Sequence, residues 1–187
     1  MKSMIDVTPA LKKIVPRFVK AASIAIAACV LVIAQSSPRV NLPQVNLDAA
    51  GLTPRPIEDL TGTTIARHYA LAWRDLAEAL ESGRTEGLGE EFVGIEKDCL
   101  MHRISEQKQA GVQVRIVDHG HHLKAVFYST DGAAMQLLDQ AQLEIQTFDG
   151  SKLLDTQNVP HEYIVLMTPG ADRWYVRDLE EVSAKAF

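Results

Sequence analysis

Residues 133–148 alternate between apolar and polar side chains, and this alternation constrains the fold more than any other feature of the chain. Such a pattern is typical of a β-strand with one buried face and one solvated face. The chain must therefore bury one side of a sheet that contains a long strand. The apolar parity holds Met135, Leu137, Ala141, Leu143 and Ile145, and the polar parity holds Gln136, Gln140, Gln142, Glu144 and Gln146.

Shorter strands are predicted on both sides of this one. A short turn at His119 to His122 separates two of them, and Asp149-Gly150 is a strong hairpin signal after the long strand. A strand as long as 133–148 is also expected to bend at a β-bulge. The shorter strands are predicted at residues 112–116, 123–127, 161–168 and 173–182.

Two helices are predicted before the strands. The first ends at Gly83, and the second covers about residues 89–110. Helices followed by antiparallel strands indicate an α+β fold, with the helices packed on one face of a curved antiparallel sheet. The predicted apolar sides are Ile65, Tyr69, Ala72, Trp73, Leu76 and Leu80 in the first helix and Phe92, Ile95, Cys99, Leu100 and Ile104 in the second.

The N-terminal 34 residues are predicted to be a basic leader with a hydrophobic helix. Residues 21–34 are all apolar or small and follow five basic residues, which fits a signal anchor or a signal peptide. A retained anchor, cleavage after Ala34 and a lipoprotein modification at Cys29 remain open, as does a buried core helix. The first three place the C-terminal domain outside the cytoplasm, membrane-anchored or, after cleavage, secreted or periplasmic.

Between leader and domain, the four prolines of residues 35–56 predict an extended tether. The globular domain is expected at 57–182 and a short tail at 183–187. The formal charge of the chain is −5, which argues against a nucleic-acid partner. Two cysteines provide no disulfide framework, and Cys99 is expected to be a small core residue.

Four local signatures stand out in the domain: 79–83 (ALESG), 106–111 (EQKQAG), 147–150 (TFDG) and 172–176 (DRWYV). With these signatures the domain resembles the nuclear transport factor 2-like superfamily, a cone-shaped α+β fold shared with SnoaL-like polyketide cyclases. A still closer resemblance is to the intermembrane-space-type domain of plastid and cyanobacterial division proteins. This second likeness implies a membrane-tethered domain that meets a protein partner.

The superfamily contains isomerases, dehydratases and cyclases as well as non-catalytic binding modules, so the fold alone implies no activity. The sequence has no glycine-rich phosphate loop and no nucleophile elbow or zinc-protease motif. We therefore expect no cofactor. We expect a non-catalytic, membrane-tethered domain that binds a protein partner or a small apolar ligand, in an oligomeric state that the sequence does not define.

The alternative function is a cofactor-free acid–base enzyme of SnoaL-like type, although no residue is assigned as catalytic. Asp139 lies on the apolar parity of its strand, where burial would raise its pKa and suit a general base. A β-bulge at Asp139 would instead turn it to solvent. Tyr69 on the first helix could line a pocket or pack in the core, and His68 lies one residue off the apolar stripe.

Two further sets of residues are candidates for binding. Three histidines, His119, His121 and His122, could ligate zinc or copper, but they lie in a predicted turn, so no metal site is assigned. Aromatic residues on the strands could supply contact area for a partner or ligand, or could pack in the core, as is expected for Trp174. These are Phe127, Tyr128, Tyr163 and Trp174.

Overall fold

The structure is a computed structural model that describes residues 42–182. The predicted leader and tail lie outside these residues. No helix within residues 42–182 has both the length and the apolar character needed to cross a membrane. The elements are β1 (Val45–Asp48), α1 (Asp59–Ser82), a 3-10 helix (Glu86–Glu90), α2 (Gly94–Gln109), β2 (Val112–Tyr128), β3 (Met135–Asp149), β4 (Lys152–Pro169) and β5 (Trp174–Glu181).

The predicted α+β class is confirmed. Five strands form one sheet in the order β1-β2-β3-β4-β5, and α1 and α2 pack on its inner face. Neighbouring strands from β2 to β5 are antiparallel, as predicted. The sheet is nevertheless mixed, because β1 is parallel to β2.

The sequence did not predict β1, which lies in the proline-containing segment interpreted as a tether. Its residues Val45 to Asp48 pair with His121 to Lys124 of β2. A strand of four residues is too short to show a period of two against its surroundings. The sheet therefore includes part of the segment that was predicted to be a tether.

Helix α1 follows its predicted pattern closely. Ile65, Tyr69, Ala72 and Leu76 are buried against the sheet, because a spacing of three and four residues aligns them on one helical face. The helix ends at Gly83, whose φ of 65° is left-handed and whose N–H bonds the Ala79 carbonyl. This is the C-terminal cap that glycine favours.

The second predicted helix is divided into the 3-10 helix and α2, and its predicted apolar side is partly wrong. Leu100 and Ile104 are buried, whereas Ile95 is 80% exposed and Cys99 is also exposed. The stripe of α2 that touches the sheet is therefore narrow. Cys99 is not the core residue that the sequence predicted.

The predicted turn at His119 to His122 is also wrong, because β2 continues through it as one strand of 17 residues. The pairing with β3 shifts between Asp118 and Gly120, so His119 is an extra residue, a β-bulge. The bulge changes the parity of the inward side chains. Asp118 and His121 both turn inward as a result.

The hairpin at Asp149-Gly150 is confirmed, since β3 and β4 pair up to Asp149 and Lys152. Strand β4 begins at Lys152, nine residues earlier than predicted. All of residues 152–160 are exposed. They carry no alternation of burial, which explains why the sequence pattern missed them.

Candidate functional site

Asp139 lies in the interior between α1 and the sheet and is 1% exposed. The β-bulge that would have turned it to solvent is absent from this position, because β3 pairs regularly with both neighbours from Leu137 to Gln142. The register shifts between β2 and β3 lie on β2 instead, at His119 and at Val126. Asp139 therefore keeps the inward parity of Leu137 and Ala141.

Two side chains bind the same oxygen of this carboxylate. The Tyr69 hydroxyl donates to Asp139 Oδ2 at 2.7 Å, and His121 Nδ1 lies 2.7 Å from the same atom. Tyr69 comes from α1 and His121 from β2. The cluster thus joins a helix and two strands in the core.

The second nitrogen of His121 meets another carboxylate, since His121 Nε2 lies 2.8 Å from Asp118 Oδ2. Both ring nitrogens therefore donate, which describes an imidazolium. Burial alone would lower the pKa of His121, but the hydrogen bonds to Asp118 and Asp139 outweigh it and raise the pKa to about 9. Burial also raises the pKa of the Tyr69 hydroxyl well above its usual value.

Aromatic rings enclose this cluster. The Trp73 ring lies 4.7 Å from the His121 ring and 5.3 Å from the Tyr163 ring, between centroids. Two buried polar atoms of this region, Asp139 Oδ1 and Trp73 Nε1, have no hydrogen-bond partner among the described residues. The side chains of His121 and Asp139 are both 0% exposed.

A cavity of about 280 Å³ opens on the other side of Trp73 and Tyr163, between the helices and the sheet. Its size is close to the lower end of small-ligand pockets, about 300 Å³. Most of its wall is aliphatic. The aliphatic lining consists of Leu76, Leu80, Leu100, Ile104, Val114, Ile116, Ile145 and Leu179.

Four polar side chains complete the lining. Glu96, Arg103 and Gln107 come from α2, and Glu181 comes from the end of β5. Burial raises the pKa of Glu96. The Glu181 side chain is bound to His161 of β4, because its Oε1 lies 2.7 Å from His161 Nδ1. The arrangement is an apolar cavity with a few polar groups, which is the usual composition of a binding pocket.

The third acid–base candidate, His68, does not join the cluster around Asp139. Its Nδ1 lies 2.9 Å from Glu91 Oε2, a carboxylate that is itself buried. Burial raises the pKa of Glu91, and the hydrogen bond to His68 opposes that rise. The pair links α1 to the segment before α2.

The four aromatic residues predicted for binding are not gathered on one surface. Tyr128 and Trp174 are buried, and their rings pack 6.3 Å apart between centroids. Phe127 is 42% exposed. Tyr163 alone of the four lines the cavity.

The three histidines considered as metal ligands separate in the structure. His119 and His122 are exposed, whereas His121 is buried. Within residues 42–182, no group of three or more histidine, cysteine or acidic side chains is arranged to hold a metal ion.

Sequence reasoning missed His121 as the partner of Asp139 and missed the His161–Glu181 pair. A signal for His121 was present, since it shares the parity of Leu123 and Ala125. The turn predicted at residues 119–122 excluded His121 from this strand pattern. No comparable signal marked His161, whose carboxylate partner lies 20 residues away in another strand.

No protein-family model matches the sequence, and no curated protein is similar to it in sequence. Solved structures do share its fold. The intermembrane-space region of the chloroplast protein ARC6 superposes with a TM-score of 0.60 at 15% identity, covering 69% of this chain and 98% of that region. This likeness confirms the predicted resemblance, and at such low identity it shows the fold alone.

Two bacterial structures match less closely. A proposed dehydratase of the NTF2-like family from Streptomyces avermitilis has a TM-score of 0.43 at 12% identity, covering 64% of this chain and 95% of its own. ActVI-ORFA from Streptomyces coelicolor has a TM-score of 0.46 at 11% identity, covering 67% and 98%.

Proposed function

We propose that the chain is a non-catalytic binding domain, held at the outer face of a membrane by its N-terminal segment. The cavity between the helices and the sheet binds an apolar group, which belongs either to a small ligand or to a protein partner. The observation that carries this proposal is the cavity itself, in which eight of the fourteen lining residues are aliphatic and two are aromatic. An apolar group gains about 25 cal/mol for each Å² that it removes from water there.

The buried cluster supports a structural role for Asp139 in this function. Its carboxylate binds Tyr69 and His121 rather than facing the cavity. Trp73 and Tyr163 line the cavity, Trp73 packs on the His121 ring of the cluster, and Tyr163 packs on Trp73. The cluster therefore holds the cavity floor in place.

An apolar fluorophore tests the cavity. N-phenyl-1-naphthylamine is titrated into residues 42–187, and binding is followed by its fluorescence. Ile145→Trp adds volume inside the cavity and is expected to weaken binding at least tenfold. Leu138→Trp makes the same kind of change on the solvated face of the same strand, where Leu138 is 41% exposed, and is expected to leave binding unchanged. Equal affinities for both variants would contradict the proposal.

The membrane attachment is supported by the apolar run 21–34 behind its basic flank. The full chain is expected to remain with membranes after alkaline extraction, and protease added from the outside is expected to digest the C-terminal domain. Release of a fragment beginning after Ala34 would show cleavage of the leader instead. A domain protected from external protease would contradict the proposed orientation.

A second candidate function, acid–base catalysis, is favoured by the meeting of Asp139, Tyr69 and His121 in one cluster. Such an enzyme would exchange protons next to a carbonyl group of its substrate. Simple ketones incubated with the protein in D₂O would then gain deuterium at the carbon next to the carbonyl, and Asp139→Asn would stop the exchange. Exchange at the same rate with the variant or without protein would argue against catalysis.

A further inference from the structure

Strand β5 covers only part of β4. Strand β4 runs from Lys152 to Pro169, and β5 pairs with it only between Tyr163 and Pro169. Residues 152–161, except for the extra residue Leu154, pair with β3 on one side, and within residues 42–182 no strand lies on the other. An open strand edge of this kind is a template for another strand.

The hydrogen bond from Val182 N–H to the Glu162 carbonyl shows which backbone groups face the open edge. Since backbone groups of alternate residues point the same way along a strand, the polar groups of Pro160, Asn158 and Thr156 face it too. Pro160 has no N–H to offer, and edge strands tolerate proline in this orientation. The edge thus presents two N–H groups and three carbonyls.

Aliphatic side chains lie along this edge. Leu153 is 49% exposed, Leu154 is 51% exposed and Val159 is 50% exposed. Gln157 pairs across the sheet with Ile145, which lines the cavity. A strand added at residues 155–160 would therefore place alternate side chains over the sheet face that leads into the cavity.

The end of the edge next to β5 is acidic. Glu162 and Glu180 are exposed there, Glu181 is bound to His161, and Asp155 lies further along. Between residues 152 and 160 the one basic side chain is Lys152. A second copy of this edge would complement these carboxylates poorly, whereas lysine or arginine in a partner would complement them well.

We infer that the open edge of β4 binds an extended segment of a protein partner, one with alternating apolar and basic side chains. This inference rests on the proposed binding function and names the partner's chemistry. Backbone hydrogen bonds to Thr156, Asn158 and Pro160 hold the segment. Its apolar residues pack beside Val159, and its basic residues meet the carboxylates at the end of β5.

A capped nine-residue peptide of alternating lysine and valine is the probe. Its binding to the full chain in a neutral detergent is followed by anisotropy of a fluorescent label and by hydrogen exchange of β4. We expect protection of the Thr156 and Asn158 amides. The same peptide with glutamate in place of lysine, or with two central prolines, is expected to bind at least tenfold more weakly.

Substitutions at Asn158 distinguish the contribution of its backbone N–H to binding from the contribution of its side chain. Asn158→Pro removes one edge N–H and is expected to weaken binding at least tenfold, whereas Asn158→Ala keeps that N–H and is expected to bind like the parent. If Asn158→Pro fails to fold, the Glu162→Lys/Glu180→Lys variant takes its place. We expect this variant to bind at least fivefold more weakly at low salt.

Three outcomes would overturn the inference. The first is that the probe does not bind the parent chain, and the second is that Asn158→Pro and Asn158→Ala bind it equally. The third is that, without peptide, the hydrogen-exchange protection of the edge rises with protein concentration. The last would assign the edge to a second copy. Fluorophore binding distinguishes failure here from failure of the cavity proposal, because Asn158→Pro leaves the cavity lining intact.

Discussion

His121 Nδ1 lies 2.7 Å from Asp139 Oδ2 in an interior where both side chains are 0% exposed. The bond runs diagonally between β2 and β3, two residues away from their direct pairing, in which His121 faces Ala141 and Asp139 faces Leu123. Because Asp118 holds the other ring nitrogen, the imidazolium is balanced by carboxylates on both sides. A charge so enclosed is stable only while its partners remain.

Asp139→Asn is predicted to destabilise the domain by about 3 kcal/mol, since it leaves a buried imidazolium with one anionic partner instead of two. The free energy of unfolding of residues 42–187 in urea measures this. Asp155→Asn is the matched control, because Asp155 is exposed on β4, and a change within about 0.5 kcal/mol is expected for it. Equal effects of the two substitutions would show that the buried ion pair contributes nothing.

Tyr69→Phe is predicted to cost about 2 kcal/mol, because it removes a hydrogen bond to a charged acceptor and keeps the ring in place. The Asp139 oxygen loses one of its two donors. In the Asp139→Asn background the cost is expected to be smaller, since the acceptor is then uncharged. A double-mutant cycle of the two substitutions measures this coupling, and additive effects would contradict it.

Much of the site could be predicted from local pattern. The inward parity of Asp139 and the place of Tyr69 on the apolar stripe of α1 both follow from periodicity within one element. Periodicity within β3 does not decide whether Asp139 is buried or is turned to solvent by a bulge. That choice depends on how β2 and β3 pair, and the extra residue is His119, 20 positions earlier.

Other differences have the same non-local cause. Ile95 and Cys99 have the spacing of core residues, but the sheet does not reach the face of α2 that carries them. The open half of β4 lacks alternation because, among residues 42–182, no element covers either of its faces. Local sequence reports the faces that an element could bury, whereas tertiary packing decides which ones it does bury.

Cys99 is predicted to react with a water-soluble maleimide in the folded state. It is exposed and unpaired in the described part of the chain, so labelling needs no opening of the structure. The test uses a Cys29→Ser background, which leaves Cys99 as the remaining thiol. Labelling that becomes fast only in urea would contradict the exposed position.

Cys99→Ser provides a second measure of the same position. A buried cysteine replaced by serine leaves a polar group in the core, whereas an exposed one does not. The free energy of unfolding is therefore expected to change by less than about 0.5 kcal/mol. A loss of unfolding free energy several times larger would indicate that Cys99 is buried, as its spacing in the sequence predicts.

The stability of the domain is predicted to fall between pH 6.5 and pH 9. Hydrogen bonds to Asp118 and Asp139, acting against burial, raise the pKa of His121 from 6.5 to about 9. A pKa that is higher in the folded state means that the folded protein binds this proton more tightly. The stabilisation is therefore complete below pH 6.5 and is lost as the pH rises through 9. A shift of this size corresponds to about 3 kcal/mol.

Urea unfolding at a series of pH values tests this prediction, with His121→Gln as the control. Glutamine can still donate a hydrogen bond but does not titrate, so the variant should start less stable and lose little between pH 6.5 and pH 9. The NMR shift of the His121 ring proton should move near pH 9 in the parent. A parent profile as flat as that of His121→Gln would show that the imidazole is not held charged by its two carboxylates.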